Sequence, residues 1–142
     1  MPFRKISTFE PNQKEVVEAC KKPLHQEAEV GLELFNQGEY FLAHEALENA
    51  WRVEPEPDRR LYQGILQAGI AFMHARNGNI QGVFSMYERS LRWLAPWPDH
   101  CRTIDVGQLK NDLQALVVQV SLLGPERIQE LNPNIFPVIK RV

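Results

Sequence analysis

Apolar residues recur at helical spacing through most of this chain, and alternating strand patterns are weak, so helices are expected almost throughout. Asn12 followed by Glu15 reads as a capping box that opens a short first helix ending before Pro23. Leu24, Ala28, Gly31, Leu32 and Phe35 form the apolar stripe of a second helix, which Gly38 stops in a tight turn. A third runs from about Glu39 to Val53. Glu54-Pro55-Glu56-Pro57-Asp58 interrupts it, because prolines lack the helix donor and clash with the preceding turn. The fourth extends from about Asp58 to Arg76 and closes at Asn77-Gly78. Asn79 caps a fifth, with the stripe Val83, Met86, Tyr87, Ser90, Leu91 and Leu94. Pro96-Trp97-Pro98-Asp99 ends that helix and begins an irregular connection through His100 and Cys101. Asp105 and Gln108 form a second capping box, opening a helix with Leu109, Leu113, Leu116, Val117 and Val120 on one face until Gly124-Pro125. The pattern predicts an all-α, single-domain bundle of about five to six helices over residues 1–142, with an extended tail over about 125–142.

Two local features refine this picture. The turns at residues 34–40 and 74–80 are both helix–Gly–helix, and Gly31, Gly38, Tyr40, Ala43, Leu47, Ala50 and Pro55 fall at the spacing of a tetratricopeptide hairpin. Two similarly packed helical hairpins would give the same pattern. Residues 132–142 carry Ile135, Phe136, Val138, Ile139 and Val142 among two prolines, a composition foreign to solvated disorder. That tail is expected to lie in a groove between the last helix and an earlier one, or to dock on a partner.

The third and fourth helices also place polar groups where a core belongs. At 100° per residue His44 centres a face with Tyr40, Phe41, Leu47, Glu48 and Trp51, while Arg60, Gln63, Gln67 and His74 form one stripe of the next helix. An antiparallel hairpin turning near residue 55 pairs His44 with Gln67, Glu48 with Gln63 and Trp51 with Arg60, and sets Phe41 against Ile70 and Tyr40 against Ala71. Polar thus meets polar and apolar meets apolar or small. Three readings follow: a buried hydrogen-bond ladder with a Trp51–Arg60 cation–π contact, a solvated face, or a metal or catalytic site. A solvated face would be expected to carry Lys or Glu where these positions carry amides and His.

Composition narrows the chemistry. A net charge of −2 and a pI of about 6.1 offer no basic surface for nucleic acid or anionic membrane. Apolar runs are far shorter than the ~20 residues of a membrane span, and Met1-Pro2-Phe3-Arg4-Lys5 lacks the apolar stretch of a signal peptide. Cys20 and Cys101 are distant and form no CxxC, so reduced thiols in the cytoplasm are expected. His44-Glu45-x-x-Glu48 resembles the zinc-protease HExxH but has Glu at the second histidine position. His44 and Glu48 could still offer two ligands. His74 lies about 10 Å further along the helix at ~1.5 Å per residue, beside the Gly38 turn, where capping the preceding helix is its expected task. Gln is a poor transition-metal ligand, so no metal and no cofactor are expected.

The segment Phe35-Asn36-Gln37-Gly38-Glu39-Tyr40-Phe41-Leu42-Ala43-His44-Glu45-Ala46-Leu47-Glu48-Asn49-Ala50-Trp51 resembles the signature of domain-of-unknown-function family 309. Tyr62-Gln63-Gly64-Ile65-Leu66-Gln67, His74, Gly78-Asn79 and Gly82 match its second block, so the resemblance covers about residues 28–95. It implies a small all-helical fold of prokaryotes and plastids and supplies no assigned reaction. The residues support two expectations. One is a small cytoplasmic (or plastid-stromal) helical module that binds a protein partner or a small ligand around the polar ladder. The other is a metal-assisted hydrolase or small-ligand enzyme using His44, Glu45 and Glu48. Oligomeric state is open.

Overall fold

The computed structural model describes residues 9–142; Met1–Lys5, read above for a signal peptide, lies outside the described residues. Six helices follow in order: α1 (Gln13–Lys21), α2 (Gln26–Asn36), α3 (Tyr40–Val53), α4 (Arg59–Arg76), α5 (Ile80–Leu94) and α6 (Val106–Arg127). Each of α2 to α5 packs on its sequence neighbour, and α6 lies mainly on α5. None of the described helices is long and apolar enough to cross a membrane.

The capping signals act locally as expected. Asn12 and Glu15 form a reciprocal capping box on α1, and the Asn79 side chain accepts from Gly82 N at 3.0 Å. Asp105 accepts from Gln108 N at 2.9 Å, but the Gln108 amide turns forward to Asp112, so only half of that box forms. Gly38 and Gly78 adopt φ of 79° and 76°, a region side-chain-bearing residues enter only with strain. Both helix–Gly–helix turns depend on this freedom. Gly124 (φ 69°) breaks the helical path of α6 ahead of Pro125.

The core is Phe35, Leu47, Leu61, Tyr62, Ile65, Phe72, Leu94, Leu109, Leu113 and Leu116, all fully buried, with Trp97 closing one end. Each such aliphatic or aromatic side chain contributes about 1.5–3 kcal/mol by leaving water. Two members of the predicted stripes differ, and Ser90 is buried as its stripe expects. Leu91 is exposed and Val117 is half-buried, while the Ser90 hydroxyl donates to the Gly64 carbonyl at 2.8 Å where α5 crosses α4.

The connection after α5, read as irregular, contains a minimal antiparallel hairpin of β1 (His100–Cys101) and β2 (Ile104–Asp105). Arg102 and Thr103 make its turn at φ of 50° and 65°, the mirror-image backbone that two-residue hairpins favour. The tail extends this hairpin: Asp105 N donates to Lys140 O at 2.9 Å and Val142 N to Thr103 O at 2.8 Å. Upstream, Ile139 and the Asn36 side chain exchange two hydrogen bonds of 2.7 and 3.1 Å. Phe136 stands 6.5 Å from the Tyr40 ring and 6.1 Å from Phe72. The tail therefore seals the α2–α3–α4 end of the core, and its Ile135 reaches α6.

The cysteines require a correction. Cys20 and Cys101, 81 residues apart, form a disulfide that ties α1 to the hairpin. Sequence spacing carries no sign of this, because the two meet only once α1 and β1 pack together.

Candidate functional site

α3 and α4 bring His44, Glu48, Trp51, Gln63, Leu66 and Gln67 to the walls of one cleft of about 220 Å³. The expected pairs His44 with Gln67 and Glu48 with Gln63 both line it, whereas Arg60, expected opposite Trp51, does not. What fills it differs. Among the described residues no hydrogen bond joins His44 or Glu48 to Gln63 or Gln67; the expected closed ladder is instead an open cleft. The His44 and Glu48 side chains keep 31% and 35% of their exposure, too much for buried members of a ladder.

Each side chain is held from its own helix. Glu48 accepts from Arg52 Nη2 at 2.7 Å, one turn on, and its other oxygen lies 3.6 Å from His44 Nδ1. His44 stacks beside Phe41, with ring centroids 6.4 Å apart and planes within 10°. Arg60 donates to the Gln63 carbonyl oxygen and pairs with Glu56, which turns the Gln63 amide nitrogen away from Arg60. Two buried polar atoms on the cleft, the Trp51 indole N–H and the Gln67 carbonyl oxygen, have no hydrogen-bond partner among the described residues.

Three expected contacts are replaced. Trp51 carries the guanidinium of Arg59 at 4.5 Å from its ring, not that of Arg60. Arg60 points toward α5 and stacks on Trp93 at 4.4 Å, a direction fixed by its pairing with Glu56 one turn earlier. His74 neither joins the cleft nor caps the Gly38 turn. It packs on Gly82, with Nδ1 3.2 Å from the Asn79 amide. Arg76 does the capping, donating to the Gly38 carbonyl at 2.7 Å while lying 5.1 Å from the Tyr40 ring. Glu45 is exposed and lines an adjoining surface groove that it shares with Phe41, His44, Glu48, Asn49 and Arg52. Among the described residues no three His, Cys, Asp or Glu side chains gather as metal ligands would.

At the far end of the same helix pair lies a second polar cluster that sequence reasoning missed. Arg102 is buried with 2% exposure. Its guanidinium donates to Ala19 O at 2.8 Å, Glu54 Oε1 at 2.9 Å, Tyr62 Oη at 2.8 Å and Asp58 Oδ2 at 2.6 Å. Asp58 also accepts from Lys22 at 2.7 Å, and its side chain makes no cap on α4. Tyr62 accepts from His25 N at 3.0 Å. Burial works against the Arg102 charge, but the Glu54 hydrogen bond and its charged surroundings outweigh it and raise the pKa above the ordinary value. Burial likewise raises the Tyr62 hydroxyl. With the disulfide beside it, this cluster bolts α1, the Pro55–Pro57 loop and the hairpin together. The one local hint was a pair of acids, Glu54 and Asp58, flanking the two prolines.

Comparison with known proteins finds similarity over the segment that forms the cleft. Residues 28–86 match the family described as "Domain of unknown function (DUF309)". An uncharacterized protein of Aquifex aeolicus (strain VF5) is 27% identical over 96 residues, which cover 67% of this chain and 29% of the relative. The chain therefore spans less than a third of that relative's length. The family match includes every residue lining the cleft and stops short of Arg102, both cysteines and the tail. Over residues 28–86, the chain is similar to the DUF309 family.

Proposed function

We propose that this protein is a helical binding module and that the cleft between α3 and α4 is its binding site. The observation that carries the reading is the convergence of His44, Glu48, Trp51, Gln63 and Gln67 on one open cleft of about 220 Å³. Volume sets the scale of the ligand. About 220 Å³ is below the range of cofactor pockets, and suits a small molecule or a single side chain from a partner.

The test uses the ¹⁵N indole resonances of the intact protein during titration with a mixture of small polar fragments. Trp51 should shift while Trp97, buried away from the cleft, stays still. A library that leaves Trp51 unmoved would remove the proposal.

A metal-assisted hydrolase using His44, Glu45 and Glu48 is the second reading. It is favoured by the closeness of His44 Nδ1 and Glu48 Oε2 and by the groove that His44, Glu45 and Glu48 line together. One equivalent of zinc or manganese retained by untagged protein, and lost in His44→Ala, would select it.

A further inference from the structure

We infer that the Cys20–Cys101 disulfide is a reducible switch that sets the shape of the α3–α4 cleft; that binding there changes with it rests on the reading above. α1 is weakly docked. Its main contact is with β1, and it buries only Val16 and Ala19, little apolar area to offset the ordering of nine residues. Besides the disulfide, Arg102 holds it: the backbone N–H donates to Cys20 O at 3.0 Å and Nε to Ala19 O at 2.8 Å. The half-exposed Lys22 adds a pair with Asp58. Net gains from such contacts are modest. The covalent tie, joining residues 81 apart, therefore decides whether the helix stays in place.

From α1 a line of contacts reaches the cleft. Phe9, just ahead of the helix, packs with its ring 5.4 Å from Trp93 and 6.2 Å from Trp97. Trp93 carries the Arg60 guanidinium at 4.4 Å, and Arg60 donates to the carbonyl oxygen of Gln63 on the cleft wall. Undocking α1 withdraws Phe9, frees the Trp93 ring and loosens the arginine that orients Gln63.

The reductant is a dithiol. Cys20 keeps part of its exposure at the last turn of α1, while Cys101 is buried, so Cys20 is the residue attacked. A thiolate of the reductant bonds to Cys20 Sγ as the disulfide breaks, and Cys101 leaves as a thiolate that takes a proton from water. The second thiol of the reductant, deprotonated, displaces Cys20 and closes the reductant's own disulfide; Cys20 is then protonated. Two electrons pass from the dithiol to the cysteine pair.

The test compares ¹⁵N spectra of the full chain, oxidised and in excess dithiothreitol. On reduction the Val16 and Ala19 amides should move to disordered positions, and the Trp93 indole and Gln63 side-chain amide should shift, while Leu32 of α2 stays folded. Reoxidation should restore the first spectrum. Cys20→Ser with Cys101→Ser should match the reduced spectrum and ignore dithiothreitol. Phe9→Ala, with the disulfide intact, should move Trp93 and Gln63 and leave α1 ordered, which isolates the line of contacts. A fragment that shifts Trp51 should bind about tenfold more weakly after reduction. An α1 that stays ordered on reduction, a Gln63 that does not move, or a reduced chain that unfolds throughout would overturn the switch. Fragments that bind equally in both states would overturn control of the cleft. If no fragment binds in either state, the binding reading fails, and the switch is decided by α1 and Gln63.

Discussion

The helix pair α3–α4 holds two polar clusters built to opposite ends. Around Arg102 every approach is closed: a backbone carbonyl, two carboxylates and a phenol take its N–H groups, and 2% of the residue is exposed. Around His44 and Gln67 the groups are half-exposed, tied only to neighbours on their own helix, and two buried atoms stay unmatched. A sealed, satisfied network fixes structure. An open, unsatisfied one is tolerated because the rest of the domain is stable enough to carry it. The contrast assigns the first cluster to the frame and supports the proposal that the second serves recognition.

The largest effect should come from breaking the sealed cluster. Arg102→Met removes the cation and leaves buried Asp58 with Lys22 as its remaining partner, so urea denaturation should show a loss of about 3–5 kcal/mol. A loss below about 1 kcal/mol would mean that the buried charges are not coupled as the geometry indicates. Next in size is the covalent tie. Replacing Cys20 and Cys101 together by Ser should lower stability by about 2–4 kcal/mol, and mass spectrometry of the wild-type protein should find neither thiol alkylated before reduction. Quantitative alkylation without reductant would remove this tie from the frame.

The tail sharpens the same division. Phe136→Ala deletes a half-buried ring against Tyr40 and Phe72 and should cost about 2 kcal/mol; a variant that melts like wild type would show that the tail does not seal the core. A smaller, pH-dependent effect belongs to Glu29, whose carboxyl is held below its ordinary value of 4.5 by the Arg141 hydrogen bond. A depressed folded pKa gives stability that is present above 4.5 and disappears as the pH falls through the lower folded value. Because the pair is about half exposed, the effect should stay under about 1 kcal/mol. The protection factor of the Val142 amide, taken relative to its intrinsic rate at each pH, should fall over that acid range, and Arg141→Ala should abolish the change.

The helices and the cleft were legible because both are written in local periodicity. Stripes three and four residues apart define α2 to α6, and a tight proline loop sets the α3–α4 register that brings His44 and Gln67 to one cleft. Rotamer choice was not legible. Arg59 and Arg60 are adjacent, and only the Glu54 carbonyl and the Glu56 carboxylate decide which of them lies on Trp51. The Arg102 cluster was invisible for a different reason. Its partners lie 40 to 83 residues away, and no spacing rule links a loop arginine to Ala19, Glu54, Asp58 and Tyr62. The disulfide escaped in the same way.

The most direct test of the division between frame and recognition is equilibrium urea denaturation of Gln67→Met. The substitution keeps side-chain length and removes an unmatched buried carbonyl. If the cleft's polarity serves recognition, stability should be unchanged within about 0.5 kcal/mol or should rise, since no internal hydrogen bond is lost. A loss of about 1–3 kcal/mol, the cost of stranding a buried partner, would contradict the account and return Gln67 to the fold as a member of a structural ladder.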